Sequence, residues 1–261
     1  MNIIVCVKQV PDTAEVKMNP ETNTIIRSGV PNIVNPDDKH AVEAALKLRE
    51  AHGGKVTILT MGPPQAKDAI KECLAMGADE GILLSDMAFG GSDALATSFA
   101  LASGIRKLGE FDLILCGKQA IDGDTAQVGP ELAEHLGIPQ ITYACEIFAE
   151  GNTLTVKREL DDTYEIVEVQ LPALVTAVKN LNEPRFPTVK GTMKANRTEI
   201  PTLTAADLGV PAEQLGLKGS PTQVRRVFAP PVNASGVMVS ADTVKETAEL
   251  LTSKLIDAKI I

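Results

Sequence analysis

The residues best suited to chemistry lie between Gly117 and Pro130, a polar stretch holding Lys118, Gln119, Asp122, Asp124 and Thr125 among three glycines. It follows an apolar run, Phe111 to Cys116, and precedes a helix-like run, Glu131 to Leu136. A strand, a glycine-rich turn and a helix in this order aim unpaired backbone N–H groups and a positive helix end at a phosphate. The P-loop order G-x-x-x-x-G-K-[ST] is absent, and no G-x-G-x-x-G opens a helix after the first strand. Asp122 and Asp124 have the chemistry of a carboxylate pair or of magnesium ligands. Beside Gly123 their commoner work is to shape the turn, with Asp124 or Thr125 capping the helix.

Other chemistries find little support. His40, His52 and His135 fall at expected helix ends, outside any Ser, Cys or carboxylate motif, where they serve as caps or dipole partners. Cys6, Cys73, Cys116 and Cys145 show neither C-x-x-C nor metal-ligand spacing, and Cys6 and Cys116 sit in apolar strands as core thiols. No nucleophile elbow, zinc motif or EF-hand loop occurs, so no metal site is expected. The net charge of −9 is concentrated in residues 1–190 and argues against nucleic acid or an anionic membrane as partner. Met1-Asn2 leads directly into a short strand, and no window reaches the length of a membrane-spanning helix. No membrane insertion is expected, and a reducing cytoplasm is the expected location.

The elements that must position these residues follow from pattern. Asn2 to Val7 reads as a strand buried on both faces. Asn35-Pro36-Asp37-Asp38 starts a helix that carries Ala41, Val42, Ala45, Leu46 and Leu48 and stops at Gly53-Gly54. Strands at Lys55–Met61, Gly81–Leu84 and Phe111–Cys116 alternate with helices ending near Met76 and Leu108, the second capped around Gly90-Gly91-Ser92-Asp93. Such alternation predicts a parallel α/β sheet whose ligands collect at the carboxyl ends of the strands. Cys6 to Lys8, Met61-Gly62 and Gly117 to Thr125 all lie at such ends. Thr24 to Arg27 is expected as a short strand within the polar excursion from Pro11 to Pro31.

The pattern then changes. Thr153–Arg158 and Tyr164–Val169 alternate around Glu159 to Thr163, which predicts an antiparallel hairpin, and Leu171–Val178 reads as a strand returning to the sheet. Beyond residue 185 the chain is proline-punctuated until a last helix, Asp242 to Ile256. Leu203, Leu208, Val210, Leu215, Leu217 and Val227 find no local partners there, so this arm either folds back on the sheet or wraps another chain, and the second is the favoured expectation. The expected division is a nucleotide-holding domain over 1–185 and a recognition loop and arm over 186–261.

Several separated stretches resemble one family. Val156 to Val167 with Pro172 to Thr176 is similar to the signature of the small (beta) subunit of electron transfer flavoproteins. Val7 to Asp12, Asn35-Pro36, Met61-Gly62-Pro63, Gly117 to Asp122, Asn182 to Arg185 and Met193 to Ala195 resemble the same family. The resemblance implies an electron-carrier subunit with a fold like the adenine-nucleotide alpha-hydrolases, a Rossmann-like parallel sheet with an antiparallel hairpin and a partner-clasping C-terminal arm. It implies a heterodimer with a larger alpha subunit. Nucleotide contacts carried onto this chain are Cys6; Asn35, Pro36, Asp37 and Asp38; Met61; and Gly123, Asp124, Thr125, Ala126, Gln127, Val128, Gly129, Pro130, Glu131, Leu132, Ala133 and Glu134. Val189, Lys190, Gly191, Thr192, Met193 and Lys194 match the family's recognition loop for acyl-CoA dehydrogenases.

The loop departs from respiratory members, which bind AMP and carry Asp-Asp-Cys-Asn-Gln-Thr-Gly at this place. Gly123 to Pro130, with Gly219 to Thr222, is similar to the electron-bifurcating branch, whose beta subunit holds FAD. That likeness implies NADH as donor, ferredoxin or flavodoxin as one acceptor, and an acyl-CoA dehydrogenase reached through the alpha-subunit flavin. Two readings stand beside it. One is a beta subunit that binds AMP structurally. The other is an ATP-dependent adenylating enzyme, on the echo of a Ser-Gly-Gly-x-Asp-Ser loop in Phe89 to Asp93.

Overall fold

The computed structural model describes residues 1–12, 18–19, 24–25, 31–225 and 236–261. The chain opens with β1 (Asn2–Cys6) and the short strands β2 (Gln9–Pro11), β3 (Met18–Asn19), β4 (Thr24–Ile25) and β5 (Asn32–Val34), then enters α1 (Pro36–His52). Next come β6 (Lys55–Met61), α2 (Lys67–Met76), β7 (Glu80–Leu84), α3 (Ala94–Leu108), β8 (Leu113–Gly117) and α4 (Val128–Leu136). Strands β9 (Gln140–Glu150), β10 (Thr153–Glu159), β11 (Tyr164–Gln170) and β12 (Ala173–Ala177) follow without an intervening α-helix. The last elements are α5 (Val189–Arg197), β13 (Thr202–Leu203), α6 (Ala205–Leu208) and α7 (Val244–Asp257).

Strand β1 is apolar on both faces because both are covered. Ile3, Val5 and Val7 pack beneath α1 and α2, while Ile4 and Cys6 join the cluster beneath α3 and α4. This is the two-residue alternation of a strand inside a three-layer α/β fold. Local chemistry sets the helix ends. Asn35 precedes α1, Pro36 takes its first position, and Gly53 stops it at φ 72°. Asp93 accepts from the Ala96 N–H at 3.1 Å to cap α3.

The main sheet runs β11-β10-β9-β12-β8-β1-β6-β7-β13. Its strands from β9 through β12 to β13 are parallel, and β10 and β11 extend it in antiparallel fashion. This is a mostly parallel, Rossmann-like α/β fold with an antiparallel hairpin. From β1 the chain steps to β6 and β7 on one side, then returns to place β8 on the other. The switch in strand order therefore falls between β1 and β8, where such sheets open a crevice at their carboxyl ends.

Several expectations need correction. The sequence pattern left residues 140–150 unassigned, yet they form β9, the strand between the hairpin and β12. Tyr143, with φ 60°, shifts the register there and breaks the alternation that would have marked the strand. Residues 189–194, expected as a loop, form the first turns of α5. Thr188 Oγ1 accepts from the Gly191 N–H at 2.9 Å, and a Cβ on Gly191 would strike the Ala75 carbonyl of α2. With Ala195 its buried residue and only Val189 and Met193 apolar beside it, α5 offers too few apolar positions to signal a helix.

The tail departs from the body later than expected. Leu203, Leu208 and Val210 pack against the α3–α4 side, Leu215 is buried, and β13 adds to the sheet edge beside β7. Asp93 also holds this segment, accepting from the Thr222 N–H at 3.0 Å and its hydroxyl at 2.7 Å. Leu217 is exposed, and Val227 lies outside the described residues, as do Ile26 and Arg27. Helix α7 stands apart from these residues in its burial. A capping box between Thr243 and Glu246 starts it, and it buries none of its residues. Among the described residues, no helix is long and apolar enough to cross a membrane.

Gly129 sets how closely α4 lies on the sheet, since a Cβ there would stand 2.7 Å from Thr176 Cγ2 of β12. Gly129→Ala is expected to cost about 1–3 kcal/mol by forcing the helix outward. Urea unfolding measures this, and an unchanged midpoint would show that the layer yields freely.

Candidate functional site at the carboxyl ends of β1, β6 and β8

Two side chains from the start of α1 join the ends of β1 and β8. The Asp38 carboxylate, 5% exposed, accepts from the Lys8 N–H at 2.7 Å and from the Gly117 N–H at 3.1 Å. Gly117 is obligatory here, because a Cβ would collide with Asp38 Oδ1. Asn35 is fully buried and spans the same gap. Its Nδ2 donates to the Gln119 carbonyl at 2.8 Å, its Oδ1 accepts from the Ile121 N–H at 3.1 Å, and its own N–H donates to the Lys8 carbonyl at 2.9 Å. The turn after β8 is thereby fastened to the turn after β1.

From that anchor the loop runs to α4 in a strained form. Asp124 and Ala126 have φ of 49° and 53°, left-handed values that side chains disfavour. The Gly123 and Asp124 N–H groups donate to the Ala120 carbonyl at 3.2 and 2.8 Å, and Asp124 Oδ1 accepts from Gln119 Nε2 at 3.0 Å. Neither Asp124 nor Thr125 caps α4, contrary to expectation. Gln127 occupies the cap position without a side-chain bond, because the left-handed turns carry the Asp124 carboxylate back toward Gln119. Among the described residues, the N–H groups of Thr125, Ala126, Gln127, Val128 and Gly129 have no acceptor. Consecutive free amides at the positive end of a helix suit an anion.

The remaining site residues flank this row. Cys6 ends β1 in register with Cys116, and the adjacent Cys6 thiol together with burial raises the Cys116 pKa. Met61 closes β6 and is partly buried. Asp37 is half-buried, and desolvation raises its pKa although the Gln119 backbone opposes this. Pro36 only starts α1. Pro130 and Glu131 continue α4 near its free end, with Glu131 accepting from Ser98 Oγ at 3.2 Å and desolvation raising its pKa. Leu132 and Ala133 turn into the core, and Glu134 is exposed. Lys8 belongs to the site although spacing gave it no role beyond its strand end. Its Nζ pairs with Asp122 Oδ1 at 2.5 Å.

A separate surface carries the other group. In α5, Val189 and Met193 stand one helical turn apart and are exposed, near exposed Phe186 and flanked by Lys190, Thr192 and Lys194. Arg185 holds the approach to this helix on α1, with Nε 2.8 Å from Glu43 and Nη1 2.5 Å from Glu50. Asn182 adds a bond from its Nδ2 to the His40 carbonyl at 2.9 Å.

The electron transfer flavoprotein domain matches residues 22–208. The chain belongs to the electron transfer flavoprotein family. It is 56% identical to the electron transfer flavoprotein subunit beta of Megasphaera elsdenii, over the full length of both chains. It is 52% identical to the caffeyl-CoA reductase-Etf complex subunit CarD of Acetobacterium woodii, again over all of both. To the acryloyl-CoA reductase electron transfer subunit gamma of Anaerotignum propionicum it is 46% identical over both full lengths. The likeness thus places this family member among beta subunits of electron transfer complexes. The adenylating-enzyme reading falls away with this family membership, and Phe89 to Asp93 forms a turn whose aspartate caps α3.

Burial raises the Asp38 pKa from 3.8 to about 7, against the lowering by its two backbone donors. Between those values the folded chain holds a proton that the unfolded chain has released. The Asp38 contribution to stability is therefore greatest below about pH 4 and declines as pH rises to about 7. Unfolding of wild type and Asp38→Asn at a series of pH values is expected to show a difference that falls across this window and is flat above it. A difference independent of pH would refute the assignment.

Proposed function

We propose that the chain is the beta subunit of a heterodimeric electron transfer flavoprotein of the electron-bifurcating kind, holding FAD rather than AMP and using NADH as electron donor. The observation that carries this reading is the row of unpartnered amides from Thr125 to Gly129 beside the strand-order switch. Donors so arranged fit phosphate. Gly123 is exposed, and a Cβ there would meet little beyond the Lys8 ammonium, so a long ligand can lie across the head of α4. The chemistry the flavin supplies when bound is acceptance of a hydride from NADH and single-electron release toward ferredoxin or flavodoxin and, through the alpha-subunit FAD, toward an acyl-CoA dehydrogenase.

The chain's own residues bind and orient. Asn35 and Asp38 hold the two strand-end turns together, and the left-handed residues Asp124 and Ala126 turn successive amides outward. In this reading residues 1–185 form the nucleotide-holding domain, and 186–261 supply the recognition helix and arm. One of the similar proteins is a subunit of a caffeyl-CoA reductase-Etf complex and another an electron transfer subunit of an acryloyl-CoA reductase, which supports an acyl-CoA dehydrogenase as partner. Val189 and Met193 are its modest apolar anchors, ringed by Lys190 and Lys194. The exposed Val244, Leu251 and Ile256 of α7 fit the alpha subunit.

Purification with the alpha subunit, followed by acid extraction, is expected to yield two FAD per heterodimer. One FAD with one AMP would instead support the structural-nucleotide subunit. Val189→Asp with Met193→Asp is expected to slow electron delivery to the dehydrogenase by about tenfold, with reduction of the complex by NADH unaltered. Equal delivery rates would remove α5 from that contact.

A further inference from the structure

Lys8 combines a fixed backbone with a half-exposed charge paired to Asp122. Its N–H is held by Asp38 and its carbonyl by Asn35, and the Val7 N–H before it bonds the Leu59 carbonyl at 2.9 Å. Only the side chain can move. That side chain is 48% exposed, and its ammonium lies 3.9 Å from where a Cβ on Gly123 would stand, at the entry to the loop that carries the free amides. The other lysine bordering the loop, Lys118, is engaged elsewhere, with its Nζ 5.2 Å from the centre of the Tyr143 ring. Among the described residues, Lys8 is thus the cation beside the amide row, and Asp122 is its present counter-charge.

We infer that Lys8 binds the second phosphate of a nucleoside diphosphate or dinucleotide, exchanging Asp122 for it, while the amides from Thr125 to Gly129 hold the first. This rests on the nucleotide reading above and adds to it a residue that tells a diphosphate from a monophosphate. The amide row suffices for a single phosphate. A second phosphate leaves the row and needs a donor of its own, and a lysine ammonium supplies one as a point charge with three N–H groups. The exchange uncouples Lys8 from Asp122, whose side chain is only 15% exposed, so the phosphate contact must exceed that pairing. Charge-assisted bonds to phosphate are the stronger kind. Asp122 neutralises Lys8 when no diphosphate is present and competes with it when one is.

The test is calorimetric titration of the full heterodimer, stripped of nucleotide, with ADP, FAD and AMP. Lys8→Gln is expected to weaken ADP and FAD by about tenfold, the loss of one charge-assisted contact, and AMP by less than about twofold. Lys8→Arg is expected to retain most of the ADP affinity, and Asp122→Asn to tighten ADP. ADP and FAD binding unchanged in Lys8→Gln, or AMP weakened as much as ADP, would overturn the assignment. Should Lys8→Gln lower the thermal unfolding midpoint, the Lys8→Arg and Asp122→Asn results decide in the same directions. Wild-type heterodimer that binds none of the three nucleotides would overturn the nucleotide reading itself, which separates the two failures.

Discussion

A buried carboxylate that bridges two parallel strands is the constraint on which the site depends. Parallel strands end with N–H groups that their neighbours do not satisfy, and at β1 and β8 those groups would face each other across the crevice. Asp38 accepts both. The arrangement is costly, since burial works against the ionised form, and the raised pKa of this group is that cost made visible. Removing either partner would strand a buried polar group, so the bridge holds both turns in one geometry.

The strain in the loop follows from this anchoring. Asn35 takes the Gln119 carbonyl and the Ile121 N–H, so the chain leaves the strand ends in a set direction and must still reach the head of α4. Asp124 and Ala126 absorb the turn in left-handed conformations. Such residues persist only where their surroundings over-determine them. Here the surroundings are the Asn35 and Asp38 bonds on one side and the close seat of Gly129 on β12 on the other. Among the described residues, the strained path leaves successive amides without acceptors, the property on which the proposed nucleotide site rests.

The rest of the chain divides its apolar surface between inside and outside. Leu215 and the residues from Leu203 to Val210 complete the cover over α3 and α4, and Asp93 fixes Thr222 where the chain leaves the body. Beyond it α7 presents Val244, Leu251 and Ile256 to solvent, as does α5 with Val189 and Met193. These two helices are well capped yet buried on little or none of their surface. Their stability in water therefore depends on what covers them.

The sequence alone determined the features whose causes are local. Strands β1, β6, β7, β8, β10, β11 and β12, the starts of α1 and α3, and the glycine stops were all readable, because apolar periodicity and capping operate over a few residues. The expectation of a ligand site at strand ends followed from the alternation of strands and helices. Only the tertiary structure decided the rest. The bond from Gly117 to Asp38 joins residues 79 apart, and no local pattern states that the α1 carboxylate rather than the loop's own aspartates would organise the turn. Strand β9 was hidden by the Tyr143 bulge, and α5 by the small number of its apolar residues. The fold-back of the chain as far as Thr222 depended on surfaces of α3 and α4 that exist only once the sheet has formed.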